Sequence, residues 1–396
     1  MGAPRRWTYG LTRNILLLAV ASLLTDVSSE IIVPLLPLFL VALGASYLII
    51  GIVESLAEST VALLKVVSGH LSDRTGKRKP FVALGYGFST VMKSALPFAS
   101  SWLHVLAARV GDRVGKGVRD PPRDALIAES TRPETVGKAF GFHRAMDTTG
   151  AIVGPVLVLA LFPILAASRG DMQAFRDLFL LALVPAALAF LVVLLVREVP
   201  GTPKRALRIR VSLRALPVRL RLFVIVAALY SLANFTLLIP IAYVAETGGQ
   251  TLAVLDYLLF NVVYALLATQ AGSLSDRIGR KPVILLGYGA FVAGSLGFAV
   301  VRNPFLLVPF FFAYGIAYAF VEGTQRALVA DLAPADLRAT SLGTYHAAVG
   351  LGKLPASILA GALATFVAPW AAFLVAAAIA SMAAALFVGT FAEPKR

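Results

Sequence analysis

Long apolar runs, separated by short polar segments, fill most of the 396-residue chain. A helix needs about 20 mainly apolar residues to cross a bilayer. The pattern therefore predicts twelve membrane-spanning helices, at 14–40, 46–68, 80–99, 102–126, 138–163, 175–196, 222–244, 251–272, 282–301, 304–326, 340–365 and 368–391. The one long polar stretch predicts a basic linker at 197–221 between two six-helix bundles, 1–196 and 222–396.

The composition supports an integral membrane protein and argues against a soluble enzyme. The chain is 58% hydrophobic and 14% charged, whereas soluble domains are roughly 45–50% apolar and about 25% charged. We expect no nucleic-acid partner despite the net charge of +15. The absence of cysteine excludes disulfides and thiolate metal sites. The first apolar run is too long for a cleaved signal, whose apolar core has about 7–15 residues, so we expect it to be a transmembrane helix.

The excess positive charge predicts the orientation in the membrane. Basic residues concentrate in one set of loops, at Arg74, Lys77, Arg78, Lys79, Arg132, Lys138, the linker, Arg277, Arg280, Lys281, Arg338, Lys395 and Arg396. Because short cytoplasmic loops carry more Lys and Arg than the opposite loops, both termini are predicted to be cytoplasmic. The same charges would attract anionic membrane lipids.

The two halves repeat each other at an offset of 202–203 residues. The segment Gly69–Arg78 recurs as Gly272–Lys281, and Leu84–Gly87 recurs as Leu286–Gly289. Ala125-Leu-Ile-Ala-Glu recurs as Ala327-Leu-Val-Ala-Asp. Such repeats indicate that one six-helix unit was duplicated, as in many secondary transporters.

These motifs resemble those of the major facilitator superfamily. Gly69–Arg78 is similar to that family's motif between helices 2 and 3, and Arg109 resembles the buried arginine of its helix 4 motif. Gly150, Gly154 and Pro155 resemble the helix 5 motif of its proton-coupled exporters, although Val158-Leu159 replaces a glycine pair. The resemblance implies an all-α fold of two pseudo-symmetric six-helix bundles that transport by alternating access.

The resemblance also implies gating roles for the motif residues. In the loops, Asp73 is expected to pair with Arg74, and Asp276 with Arg277, while Gly76 and Gly279 allow a tight reversal. These loops, with Gly69 and Gly272, would form a latch that holds one conformation closed; a simple positive-inside anchor is the alternative. Small residues at Gly150 and Gly154 let two helices approach closely, and Pro155 permits a kink. The segment is then a seal or hinge, or ordinary tight packing.

Helix 4 carries the least expected charges. Eight charged side chains fall within an arc of roughly 140°, at Arg109, Asp112, Arg113, Lys116, Arg119, Asp120, Arg123 and Asp124. At offset 202 the segment 102–119 corresponds to 304–321, which is almost wholly apolar. The first four charges are therefore predicted to lie at membrane depth, where each costs about 2.5–3.5 kcal/mol unless it faces water or a partner.

Helix 1 offers carboxylate partners one helical turn apart, Asp26 and Glu30. We expect one of them to carry the coupling proton, with Arg109 or Arg113 as its switchable partner and Asp112 in the same network. A fixed structural salt-bridge network is the alternative. The remaining polar residues of the spans are expected to line the substrate cavity: Glu54, Glu58, Lys93, Lys116, His143, Arg144, Asp147, Asn234, Asp256, Asn261, Tyr264, Tyr314 and Tyr318.

The sequence thus predicts a monomeric secondary transporter in the cytoplasmic membrane of a prokaryote. It is expected to export a small molecule in exchange for protons, without a cofactor or resident metal and without enzymatic activity. A proton-coupled carrier of an anionic metabolite and a divalent metal-ion exporter are the alternatives within transport. A lipid flippase or a non-transporting membrane receptor would belong to a different class.

Overall fold

A computed structural model describes residues 12–131, 135–199, 216–334 and 337–391, with only the backbone at 338–340. Across these ranges the chain is helical, with short 3-10 turns and without a strand. Several predictions fall outside the described residues: the predicted cytoplasmic N-terminus at residues 1–11, Arg132, most of the linker 197–221, the side chain of Arg338, and the tail residues Lys395 and Arg396.

Thirteen α-helices occupy the described ranges. The first six are α1 (Arg13–Ala42), α2 (Tyr47–Thr75), α3 (Lys79–Lys93), α4 (Trp102–Glu129), α5 (Val136–Arg169) and α6 (Asp171–Leu194). The others are α7 (Val218–Ala233), α8 (Leu238–Gly248), α9 (Gln250–Ile278), α10 (Arg280–Val300), α11 (Val308–Leu332), α12 (Arg338–Phe366) and α13 (Pro369–Thr390).

The predicted fold class is confirmed: the protein is an all-α integral membrane protein with twelve spans in two six-helix bundles. Ten segments are long and apolar enough to cross a membrane, and α7 and α8 together form one of them. The short α3, with 15 residues, and the charged α4 complete the twelve.

One predicted span is not a single continuous helix in the structure. The sequence predicts a single helix at 222–244, whereas α7 ends at Ala233 and α8 begins at Leu238. Side chains replace helical backbone partners at this break. The backbone N–H of Thr236 donates to Ser357 Oγ at 3.0 Å, and that of Leu238 donates to Thr236 Oγ1 at 3.2 Å. The seventh span is therefore a discontinuous helix.

Contacts divide the chain into two units. Unit 1 comprises the described residues of Met1–Phe39 and Thr60–Leu207, and unit 2 those of Leu40–Ser59 and Arg208–Arg396. The prediction assigned residues 40–59, the end of α1 and the start of α2, to the first bundle. Contacts group these residues with unit 2 instead.

Close helix packing fixes the charged helix in unit 1. A Cβ added to Gly85 of α3 would lie 2.6 Å from the carbonyl oxygen of Gly115 in α4, and one added to Gly115 would lie 2.5 Å from that of Gly85. Two facing glycines thus let the backbones touch. The equivalent residues of unit 2, Gly287 and Ala317, lie on α10 and α11 and also face each other. This approach sets the buried side chains of α3 directly against those of α4.

Candidate functional site

Two of the arginines predicted at membrane depth in α4 lie beside Asp112. Its carboxylate lies 3.8 Å from both Arg109 and Arg113 and 4.0 Å from Lys93 of α3. Ser89 Oγ also donates to Asp112 Oδ1. All five side chains are buried, and we call them the Asp112 cluster. Sequence reasoning overlooked Ser89, because a serine on an otherwise apolar helix gives no signal of its partner.

Lys93 ties this cluster to α1. Its Nζ donates to Ser28 Oγ at 3.0 Å and to Ser29 Oγ at 2.9 Å. One ammonium therefore joins α1 and α3 to the carboxylate on α4, inside a single unit. This geometry favours the fixed salt-bridge network for the Asp112 cluster over a network that exchanges partners.

Asp26 and Glu30 lie half-buried on α1, where α5 packs against it. A Cβ added to Gly150 would lie 2.7 Å from Asp26 Cβ and 2.8 Å from the carbonyl oxygen of Leu23. One added to Gly154 would lie 2.6 Å from Glu30 Cβ. Pro155 follows within the same helix. The glycines that resemble the exporter motif thus bring the α5 backbone onto α1 at the two carboxylates.

The charges that act on Asp26 come from α1, α4 and α5. After burial, Asp147, Lys116, Glu30 and Arg123 act most strongly on its carboxyl. Asp147 in turn lies 3.5 Å from the Nδ1 of His143, while Arg144 points to the exposed side of α5. Lys116 and Arg123 are therefore the cations that act most strongly on Asp26. The predicted partnership of Arg109 or Arg113 with Asp26 or Glu30 stays a prediction.

The remaining charges of α4 form a second group, which the predicted site did not include. Asp120 lies 3.1 Å from Lys65 of α2, 3.6 Å from Arg123 and 3.8 Å from Arg119. Arg119 also stacks over the ring of Tyr86, 4.6 Å from its centre. The alternation of opposite charges along one helical arc was the signal that pointed to these contacts.

Unit 2 contains a narrow pocket at the break between α7 and α8. It is lined by Asn234, Phe235, Thr236, Leu237, Pro240, Phe291, Tyr314 and Tyr318. Tyr318 OH donates to Asn234 Oδ1 at 2.8 Å, and Tyr314 OH lies 3.1 Å from Ser295 Oγ. Phe291 stacks on Tyr314 with ring centres 5.1 Å apart. The structure thus brings together three predicted cavity residues: Asn234, Tyr314 and Tyr318.

A charged group borders Tyr318 in unit 2. Tyr264 OH donates to Glu322 Oε2 at 2.7 Å, and Arg326 pairs with Glu322 at 3.1 Å. Lys353 of α12 is influenced by the charges of Glu58 and Glu322 and by Tyr318. Glu322 and Lys353 are charges within predicted spans that were candidates from the sequence but were not placed in the predicted cavity.

The other predicted cavity residues of unit 2 occupy different environments. Glu54 is 7% exposed, and Asp256 is fully buried. Asn261 is half-buried on α9, the helix that also carries Asp256.

The doubled loop motif builds the same ion-pair cluster in each unit. Arg78 lies 2.8 Å from Asp73 and 3.0 Å from Glu129, and its Nη1 donates to Ser72 Oγ. In unit 2, Arg280 lies 2.6 Å from Asp276 and 3.0 Å from Asp331, and its Nη1 donates to Ser275 Oγ. Burial lowers the pKa of the Arg78 guanidinium, but the hydrogen bonds and charges of Glu129 and Asp73 outweigh it and leave the pKa raised.

The predicted partners within these loops are therefore wrong. Asp73 pairs with Arg78 rather than with Arg74, and Asp276 pairs with Arg280 where Arg277 was expected. Adjacent residues of a helix point about 100° apart, whereas the loop returns Arg78 and Arg280 toward the acids. Gly69 and Gly272 lie on α2 and α9, one turn before the acids.

The loop glycines have the conformation that the reversal requires. Gly76 and Gly279 have φ of +67° and +99°, a region that favours glycine. The first loop has one more residue, so Lys79 corresponds to Lys281. Lys79 Nζ donates to the Leu194 carbonyl at the end of α6, and Lys281 Nζ donates to the Val388 carbonyl near the end of α13. Each loop thus also caps a helix C-terminus.

Comparison with known proteins places this geometry in a family. The family model of the Major Facilitator Superfamily matches residues 18–245 and 221–396. An MFS-type transporter of Methanocaldococcus jannaschii is 40% identical over 360 residues, covering 89% of each chain. The multidrug resistance protein MdtH of Aeromonas hydrophila is 25% identical over 396 residues, covering 94% of each chain.

Solved structures share the fold at low sequence identity. The nucleoside transporter NupG superimposes with a TM-score of 0.77 at 17% identity, covering 97% of this chain and all of that one. A bacterial homolog of the human lysosomal transporter Spinster, in an inward-facing and occupied conformation, superimposes with a TM-score of 0.79 at 15% identity. The match covers 98% of this chain and 97% of that one.

The fold, the doubled loop motif and the relatives define a membrane transporter rather than an enzyme. The chain belongs to the major facilitator superfamily.

Proposed function

We propose that the protein exports a small molecule from the cytoplasm by alternating access, in exchange for protons. The observation that carries this proposal is the setting of Asp26 and Glu30. Both carboxylates are half-buried on α1 at the point where the two exporter-motif glycines of α5 press against it. Ionisable groups inside membrane spans are costly and usually mark ion or proton paths. The relative MdtH, a multidrug resistance protein, adds support for export.

The proton would bind on α1 among charges of both signs. Burial, Asp147 and Glu30 oppose an ionised Asp26, while Lys116 and Arg123 favour it. A small movement of α4 or α5 would shift this balance, so the carboxyl can gain or lose a proton as the conformation changes. Arg109, Arg113 and Asp112 then hold the helices in position instead of exchanging partners with Asp26.

The substrate would contact the aromatic pocket of unit 2. Phe291 and Tyr314 stack face to face, and the broken α7–α8 segment places Asn234 and backbone polar groups beside them. Discontinuous helices form substrate sites in several transporter folds, because their free backbone groups can bind ligands. The pocket is too narrow to admit a molecule in the conformation described, so we propose that it opens during transport and then contacts an aromatic substrate with a few polar groups.

We further propose a monomer in the cytoplasmic membrane of a prokaryote, with both termini in the cytoplasm. The clustering of basic residues in the loops of the doubled motif supports this orientation.

Ethidium, a fluorescent planar aromatic cation, provides a direct test. Purified protein in vesicles with an acid interior should take up ethidium and lose internal protons, as reported by an entrapped pH dye. Asp26→Asn or Glu30→Gln should abolish this coupling in at least one case, while the exposed Asp171→Asn serves as a matched control. Ethidium uptake that is indifferent to the pH gradient would overturn the antiport proposal. Full coupling in both variants would place the proton site elsewhere.

A further inference from the structure

Asp256 of α9 is a carboxyl group for which the described residues provide no partner. Its side chain is 0% exposed. Neither carboxylate oxygen accepts a hydrogen bond within the described part of the chain, and no ion pair within 4.0 Å reaches it there. Buried polar groups are nearly always hydrogen-bonded, so a carboxyl left in this state requires an explanation.

The position of Asp256 on its helix accounts for its apolar surroundings. Phe260 and Val263 lie one and two turns further along the same face of α9, and a Cβ added to Gly315 of α11 would touch Val263 at 2.9 Å and the Phe260 carbonyl at 3.0 Å. This face therefore packs against α11. The turns of α11 before Gly315 include Pro309-Phe310-Phe311-Phe312, which offers no side-chain hydrogen-bond donor.

Charged groups elsewhere in unit 2 do not compensate for this burial. Three helices pack against α9 and carry ionisable side chains: Tyr243 and Glu246 on α8, Arg280, Lys281 and Tyr288 on α10, and Tyr314, Tyr318, Glu322, Arg326 and Asp331 on α11. The other ionisable side chains of α9 itself are Tyr257, Tyr264, Asp276 and Arg277. None of them donates a hydrogen bond to Asp256, and burial dominates the environment of its carboxyl. An ionised carboxylate at this position would have no compensation for losing its hydration.

We propose that Asp256 is a second proton-carrying residue, which holds a proton in the conformation described here and releases it when conformational change brings water to its carboxyl. The step is a simple dissociation of the carboxylic acid into carboxylate and a proton taken up by water. The inference rests on the proposed proton-coupled transport and extends it, because it adds a proton site in unit 2 to the one in unit 1.

Infrared difference spectroscopy on the whole reconstituted protein tests the first part. The wild type at neutral pH should show the C=O stretching band of a protonated carboxyl, shifted in heavy water. Asp256→Asn should remove that band, whereas Asp171→Asn should retain it. A band that persists unchanged in Asp256→Asn would overturn the proposal.

Chemical labelling of the wild type provides a second test in case the Asp256→Asn variant does not fold. Dicyclohexylcarbodiimide modifies protonated carboxyls in apolar surroundings, so mass spectrometry of the treated protein should find the label on Asp256. An unlabelled Asp256 beside a labelled Asp26 would overturn the proposal.

Counting protons tests the second part. Initial rates of ethidium uptake and of internal alkalinisation give the protons moved per ethidium, and this ratio should fall by one in Asp256→Asn. An unchanged ratio would overturn the proposal while leaving antiport intact. Ethidium uptake without proton movement in the wild type would instead reject the proposed function, and the infrared band would then decide only whether Asp256 is protonated.

Discussion

The two units place different chemistry on the same backbone positions. At the offset of 202 residues, Asp112 of α4 corresponds to Tyr314 of α11, and Lys93 of α3 corresponds to Ser295 of α10. Unit 1 joins these helices through buried charges, whereas unit 2 joins them through the hydrogen bond between Tyr314 and Ser295. Duplicated helices can therefore retain one packing geometry while one copy is charged and the other is neutral.

The same contrast continues along the helices. Tyr86, Arg123 and His143 of unit 1 correspond to Tyr288, Gln325 and Tyr345 of unit 2. In unit 2, Gln325 Nε2 donates to Tyr288 OH at 2.7 Å and its Oε1 accepts from Tyr345 OH at 2.8 Å, a closed neutral network. In unit 1 the corresponding arginine pairs with Asp120 and Asp124. At these equivalent positions unit 1 thus carries buried ion pairs, whereas unit 2 carries neutral hydrogen bonds.

Removing the central group of each unit should give the largest difference. Asp112→Leu takes away the carboxylate shared by three buried cations and should lower the free energy of unfolding by about 3–5 kcal/mol. Tyr314→Phe removes one neutral hydrogen bond and should lower the free energy of unfolding by about 1 kcal/mol. Unfolding by SDS titration of detergent-solubilised protein measures both. Asp112→Asn keeps the shape of the side chain and tests the charge alone, should the leucine variant not fold. Equal losses for Asp112→Asn and Tyr314→Phe would contradict the comparison.

The loop motif offers a second comparison, in which burial is the variable. The Arg78 side chain is 4% exposed and that of Arg280 is 23% exposed, although their partners are equivalent. Arg78→Ala should lower the free energy of unfolding by about 1.5–3 kcal/mol, the range for hydrogen bonds to charged groups. Arg280→Ala should lower it by about 0–1 kcal/mol, as for exposed ion pairs. The same SDS titration applies. Arg74→Ala, which removes an exposed cation, serves as the control and should change stability by less than about 0.5 kcal/mol. An Arg74 effect as large as that of Arg78 would restore the pairing expected from the sequence.

The sequence allowed the twelve spans and the doubled motif to be predicted, because apolar length and repeat spacing are local properties of the chain. The break before α8 could not be predicted in this way, since it depends on Ser357, which lies 121 residues beyond Thr236. The partner of Asp26 likewise depends on how α1 is rotated against α4. The charges of α4 were visible in the sequence, but their division between the Asp112 cluster and Asp26 is a tertiary property.

Glycine contacts provide the smallest and most local test of the comparison. Gly150 of α5 and Gly352 of α12 are equivalent, and each lies against the first helix of its half. A methyl at Gly150 would meet the Leu23 carbonyl at 2.8 Å and the Val27 nitrogen at 3.1 Å, which are backbone atoms that cannot rotate away. A methyl at Gly352 would first meet Ser231 Oγ, which can change rotamer, and the nearest backbone atom lies at 3.3 Å. Adding a methyl group to a contact that is already tight typically lowers the free energy of unfolding by about 1–3 kcal/mol.

Gly150→Ala should therefore destabilise the protein and slow ethidium transport, because it pushes α5 away from Asp26. Gly352→Ala should lose less stability than Gly150→Ala in the same SDS titration. Gly141→Ala, on the same helix as Gly150 but with open space around its added methyl, controls for helix propensity and should be neutral or slightly stabilising. If Gly352→Ala proved the more damaging variant, the close approach of α5 to the carboxylates of α1 would not be the tighter of the two contacts. The placement of proton chemistry at that contact would then lose its structural support.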